Sequence, residues 1–176
     1  MKLIIAEKPS LGRNIAAAIG ASTRRDGYME GKEYLVTWAF GHLFALSDIE
    51  DYTGAPAGGR WTMENLPCFP EKFEFELKKN SDKTVDSGVK EQFGTIKELC
   101  LRSDVTEIIN AGDADREGEI IVRTCVMKTQ CTDKPFMRLW LPDQTEETIR
   151  QGLLEMKEET SYDNLAKEGQ SRKKID

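Results

Sequence analysis

The sequence contains no apolar run approaching the roughly 18 residues that a membrane-spanning helix needs. Its apolar opening, Leu3-Ile4-Ile5-Ala6, is too short for a signal peptide and runs at once into Glu7 and Lys8. A cytoplasmic chain with no membrane partner is therefore expected. Cysteine is sparse: Cys68, Cys100, Cys125 and Cys131 form no Cys-x-x-Cys, which argues against a zinc site or a disulfide frame and for reduced thiols. A surplus of positive charge is also missing. The net charge of −6 disfavours a protein that coats DNA through counterion release, which needs clustered Lys and Arg. No Gly-x-x-x-x-Gly-Lys loop of the nucleotide-binding kind occurs. Histidine occurs once, at His42.

What remains is ordinary globular material. With 176 residues, 39% of them hydrophobic and 32% charged, the chain suffices for one domain with a real core plus a tail. Leu3–Ala6 reads as a buried strand, and Pro9-Ser10 leads into an Ala-rich helix over 11–19 that Gly20 stops. A second strand is predicted over 34–40. Residues 48–90 differ in texture, rich in Gly, Pro and charge, and read as a long excursion with one short strand over 72–77. A helix over about 89–102, a strand over 105–111, a helix from Glu119, a strand over 136–141 and a helix capped by Thr145 through Met156 complete the pattern. Strands alternating with helices imply a mainly parallel sheet of about four strands with helices on both faces. Ligands of such sheets sit beyond the carboxyl ends of the strands, so Glu7 and Asp113 should face one crevice.

The segment after the third predicted strand carries the most chemistry. Gly112-Asp-Ala-Asp-Arg-Glu-Gly-Glu119 places Asp113, Asp115 and Glu117 at i, i+2 and i+4. Hard divalent cations take oxygen ligands, and Mg²⁺ uses one or two carboxylates with waters or substrate phosphates. Crowded acids repel one another, and a bound cation relieves that cost. A solvated acidic turn that favours a helix N-terminus is the competing reading of the same residues. Glu7-Lys8-Pro9-Ser10 adds a carboxylate and an ammonium at another strand end, a pairing suited to proton transfer and phosphate neutralisation. Residues 1–25 hold five cations, Lys2, Lys8, Arg13, Arg24 and Arg25, against Glu7 alone. That suits either a phosphate-facing edge or a solvated basic face.

Taken together, Leu3-Ile-Ile-Ala-Glu-Lys-Pro-Ser10, Trp38-Ala-Phe-Gly-His-Leu43, Trp61 with Asn65-Leu-Pro67 and Pro70, Gly112–Glu119, and Arg138-Leu-Trp140 with Gln144-Thr145 resemble the Toprim domain of type IA DNA topoisomerases, closest to the bacterial topoisomerase III group. The resemblance runs the length of the chain. It implies an α/β, Rossmann-like Toprim fold over residues 1–150. It also implies a linker and the truncated start of a following helical domain over 151–176. By resemblance, Glu7 is the general acid/base at a leaving 3′ oxygen with a possible metal contact, and Lys8 is the scissile-phosphate contact. Asp113, Asp115 and Glu117 fall on a Mg²⁺ triad, and Glu119 reads as helix-start charge. His42 is expected in a structural hydrogen bond, Arg116 in pairing with the acids, and Arg138 either at DNA or paired with an acid.

Type IA enzymes break single-stranded DNA with a tyrosine from a later domain, forming a 5′-phosphotyrosine link without ATP. None of Tyr28, Tyr34, Tyr52 and Tyr162 lies in a segment like that one. The chain is accordingly expected to be inactive alone, with single-stranded DNA and the remaining domains of a parent topoisomerase as partners. A stand-alone Toprim metal-dependent nuclease, in which activated water replaces tyrosine, is the enzymatic alternative. A protein-interaction module is the non-catalytic one. Trp38 and Trp140, which lie in strand patterns, are expected in the core rather than as base-stacking platforms.

Overall fold

A computed structural model describes residues 1–47 and 72–175. Trp61, Cys68 and most of the 48–90 excursion lie outside the described residues.

The four anticipated strands form the parallel centre of the sheet. β1 (Lys2–Ala6) lies between β4 (Tyr34–Trp38) and β7 (Glu107–Ala111), in register Ile4↔Val36 and Ile4↔Ile109. β8 (Phe136–Arg138) continues the parallel set on β7. Strands not anticipated extend both edges. The hairpin β2 (Thr23–Arg25) and β3 (Tyr28–Glu30) adds antiparallel to β4, and β9 (Lys157–Glu158) adds antiparallel to β8. The full order is β2-β3-β4-β1-β7-β8-β9. The strand expected in the excursion is β6 (Phe75–Leu77), which pairs with β5 (Phe44–Leu46) in a separate two-stranded sheet.

Because side chains alternate across a strand, one buried run feeds two cores. Leu3, Ile5, Leu35 and Ile108 face α2 (Ser87–Leu101) and α3 (Arg116–Lys128), where Ile96, Leu99, Val122 and Cys125 complete the layer. Ile4, Val36, Ile109 and Ala111 face α1 (Pro9–Ile19) and α4 (Glu146–Leu154), meeting Leu11, Ile15 and Ile149. The helices are bounded by local chemistry. Pro9 opens α1, and Gly20 ends it at φ 74°, a left-handed conformation that glycine adopts without a Cβ clash. Asp86 caps α2 by accepting from the Val89 amide, and Thr145 caps α4 by accepting from that of Thr148.

From β1 the chain crosses to β4 on one side and later returns to β7 on the other. The crevice beyond the carboxyl ends of β1 and β7 is therefore the point where strand order reverses, the usual ligand position of an open parallel sheet.

Residues after α4 do not trail away. A 3₁₀ turn (Glu159–Tyr162) leads into α5 (Asp163–Ile175), which packs along α3. Gly169 makes this approach possible: a Cβ there would lie 2.9 Å from both the Arg116 carbonyl oxygen and Ile120 Cγ2. Gly169→Leu is expected to lift α5 from α3 at a cost of about 1–3 kcal/mol. The loss should register as a lower Tm and a smaller helical signal at 222 nm.

Candidate metal and phosphoryl-transfer site

Glu7 leaves the end of β1 and Asp113 lies just beyond β7, two strands paired along their length. The Asp113 amide donates to Glu7 Oε2 at 3.1 Å, and Lys8 Nζ lies 3.7 Å from Asp113 Oδ2. Glu7, Lys8 and Asp113 thus meet in one crevice. The Glu7 carboxyl is pushed up to about 7, first by burial, then by its hydrogen bond to the Asp113 carboxyl and by the negative charges of Asp113 and Asp115. Neighbouring carboxylates that share a proton behave in this way, and the result is an acid poised near neutral pH.

The other two acids are turned to different partners. Asp115 caps α3, its Oδ1 accepting from the Gly118 amide at 2.6 Å. The helix therefore opens at Arg116, three residues before the expected start, and Glu117 belongs to its first turn. Glu117 Oε2 sits 3.1 Å from His42 Nε2, and Lys173 Nζ of α5 is 3.2 Å from His42 Nδ1. A lysine ammonium only donates, so Nδ1 is the acceptor and Nε2 carries the proton toward Glu117. Burial, and then the Lys173 charge, hold His42 below its usual value and keep it neutral. Both of its ring nitrogens are thus engaged, one by Glu117 and one by Lys173.

Among the described residues, no three His, Cys, Asp or Glu side chains converge as a ready cation cage. The donor set nevertheless fits Mg²⁺. Glu7 and Asp113 meet at the rim, Asp115 lies near enough for its charge to act on Glu7, and Mg²⁺ needs only one or two hard-oxygen carboxylates. After burial, the repulsion among these acids that a cation would remove is part of what raises Glu7. The rim is compact because two glycines meet. A Cβ on Gly118 would collide with the backbone of Asp113, and one on Gly112 with the backbone of Gly118. Strand end and first helical turn are pressed together, and only glycine at both positions permits it.

Behind the rim lies a buried polar cluster that the sequence reading did not foresee. Glu119, read as exposed helix-start charge, is fully buried. Its Oε2 lies 2.5 Å from Arg138 Nε, and its Oε1 accepts from Arg123 at 2.9 Å. Arg138 is likewise fully buried, which removes it from any surface that DNA could reach and leaves the acid-pairing option. Arg116 pairs with Glu168 of α5 at 2.8 Å rather than with the acids of its own motif. Glu159 Oε1 accepts from Arg123 Nε at 2.9 Å and from Asn110 Nδ2 at 3.1 Å. Burial and the adjacent Glu119 carboxylate push the Glu159 carboxyl up to about 8, so it is protonated at neutral pH and two acids share one pocket. The i,i+4 spacing of Glu119 and Arg123 was the one local signal of this cluster. Glu159 and Lys173 carried none, because they reach the site only through the turn after α4. Trp140 does not enter the core. It stacks on Tyr162 at 5.3 Å between ring centres, with the Arg138 guanidinium 4.8 Å from its own centre. Trp38 packs partly buried against the α1 face, as expected.

Comparison with known proteins agrees with this geometry. The Toprim domain family profile matches residues 2–141. DNA topoisomerase 3 of Bacillus thuringiensis (strain Al Hakam) is 38% identical over 174 residues, which is 99% of this chain and 22% of that protein. DNA topoisomerase 3 of Staphylococcus epidermidis is 39% identical over 174 residues, covering 99% of this chain and 23% of the relative. The chain thus spans about a fifth of the length of the curated relatives it matches. Full-length topoisomerase I from Thermotoga maritima shares the fold, with a TM-score of 0.53 at 21% identity over 89% of this chain and 21% of that one.

Two outcomes are expected. Gly118→Ala should cost about 3 kcal/mol through the forced backbone clash, measured by denaturant unfolding. Glu159 binds its proton in the folded chain up to pH about 8 but only to about 4.5 when unfolded. Its contribution to stability is therefore complete below pH 4.5 and is lost as pH rises through 8. Glu159→Gln, neutral throughout, should flatten the fall in stability between pH 5 and 8 by about 1 kcal/mol or more.

Proposed function

The chain belongs to the Toprim family, and from that premise we propose that it is the Mg²⁺-binding catalytic domain of a type IA DNA topoisomerase of the topoisomerase III kind. In this reading residues 1–150 are the Toprim unit, and 151–176, although β9 and α5 dock back onto it, lead toward the next domain of a longer protein. The single observation that carries the reading is the Glu7–Lys8–Asp113 crevice, where a carboxyl raised to about 7 sits beside an ammonium and a second carboxylate.

The chemistry follows from these groups. Glu7, protonated near neutrality, gives its proton to the departing 3′ oxygen when a single strand is cut and takes it back on rejoining. Lys8, half-exposed at the rim, neutralises the phosphate as charge moves onto its oxygens. Asp113, Asp115 and Glu117, with Glu7 at the margin, would hold Mg²⁺, which supplies charge neutralisation and orders the DNA end for rejoining. Glu117 must then leave His42, and Asp115 must share its capping oxygen. The attacking tyrosine comes from elsewhere in the parent enzyme. Tyr162 is instead stacked on Trp140, and burial holds it above its usual value. Reduced thiols at Cys100, Cys125 and Cys131 accord with a cytoplasmic setting.

Incubating the chain with end-labelled single-stranded DNA and Mg²⁺ tests the reading, with Glu7→Gln and Asp113→Asn as controls. No cleavage, together with Mg²⁺ binding weakened by about tenfold in Asp113→Asn, is the expected result. Mg²⁺-dependent cleavage that vanishes in both variants would identify a self-sufficient nuclease instead. In the parent enzyme, Glu7→Gln should abolish strand cutting, and near-normal cutting would sink the acid role.

A further inference from the structure

Arg138 has no access to solvent, and its side chain is spent on the backbone that carries the acids. Nη1 donates to the carbonyls of Asn110 and Gly112 at 3.2 and 2.8 Å and to that of Leu139 at 3.1 Å. Nη2 donates to the carbonyl of Asp113 at 2.8 Å. Nε faces Glu119 Oε2 at 2.5 Å, and the guanidinium plane rests against Trp140 and Tyr162. Three of the four carbonyls belong to the end of β7 and the loop that begins the acidic motif. From the other side, the Gly112 amide donates to Asn110 Oδ1 at 3.0 Å, and Asn110 Nδ2 is anchored on Glu159.

We propose that Arg138 is a positioning residue for this site: its buried fork sets the Gly112–Asp113 backbone so that the Asp113 amide meets Glu7 and the Asp113 carboxylate faces Lys8. A planar guanidinium presents five donors in a fixed arrangement, whereas lysine places three on one atom and cannot span four carbonyls and a carboxylate. Glu119 acts at one further remove, holding the fork by Nε so that both Nη atoms point at the loop. This function for Arg138 rests on reading Glu7, Lys8 and Asp113 as the reacting crevice. The bond network by which it holds the loop does not depend on that reading.

Residue-resolved amide hydrogen exchange on the 176-residue chain, comparing Arg138→Lys and Glu119→Gln with the parent sequence, tests the proposal. Arg138→Lys should lower protection of the Gly112 and Asp113 amides by about tenfold or more, the scale of a lost charge-assisted hydrogen bond. The central-strand amides of Ile4 and Ile109 should be unchanged. Glu119→Gln should act on the same two amides, less strongly. Equal losses at Ile4 and Ile109 would mean that Arg138 only stabilises the fold, and unchanged loop protection would mean that it does not hold the loop. Either result overturns the proposal, and if Arg138→Lys fails to fold, Glu119→Gln decides by the same criterion. A parallel Mg²⁺ titration separates the two readings. A parent chain that binds no Mg²⁺ would remove the metal assignment, while the exchange pattern would still judge Arg138.

Discussion

A guanidinium shut away from water must find its partners inside the protein, and the buried Arg138–Glu119 ion pair imposes that condition on everything around it. Removing one partner of such a pair leaves an uncompensated buried charge, a defect worth about 3–5 kcal/mol. The pair therefore fixes three things at once. It ties the first turn of α3 to the end of β8, draws the carbonyls beyond β7 inward, and sets the floor on which Trp140 and Tyr162 stack. Arg123 extends it to Glu119, Glu159 and Asp163, joining α3 to the turn and helix that follow α4. The acidic rim is the exposed edge of this buried cluster.

The contrast between rim and floor is electrostatic. Below, two arginines face two acids, and one of the acids keeps its proton. Above, Glu7, Asp113 and Asp115 stand with Lys8 as their near cation, so negative charge is left over where ligands of the sheet are received. Each acid is parked on a local substitute: a proton for Glu7, the Lys8 ammonium for Asp113, a helix amide for Asp115, an imidazole for Glu117. These partners are ones that a cation could replace without disturbing the floor.

The legible parts of this structure were those written in consecutive residues. The continuous apolar runs along Leu3–Ala6 and Glu107–Ala111, the Gly20 stop and the Thr145 cap each depend on short-range spacing, and each was readable as such. The motif acids were readable by residue type, and the Glu7–Asp113 meeting followed from the rule for parallel strand ends. Three-residue strands such as β2, β3 and β5 were missed because so few residues show no period, and pairing partners decide them. Gln92, for example, ties the hairpin turn to the sheet by donating to the Gly27 and Trp38 carbonyls, a bond between segments far apart in sequence. Glu119 was misread for a related reason. A carboxylate in the first turn of a helix is ordinarily solvated, and only the arrival of Arg138 from β8 and Glu159 from beyond α4 makes burial tolerable.

The two outermost strands of the main sheet have a further consequence. β2 is Thr-Arg-Arg and β9 is Lys-Glu, each short, charged and exposed. A parallel sheet of Ile, Leu and Val that ended on a bare central strand would offer unpaired amides and carbonyls to any passing chain. Here both margins close with a strand too brief and too polar to template another molecule. The same hydrophobic strands that make the core are thereby kept from nucleating aggregation, and the domain is protected at its flanks by five residues.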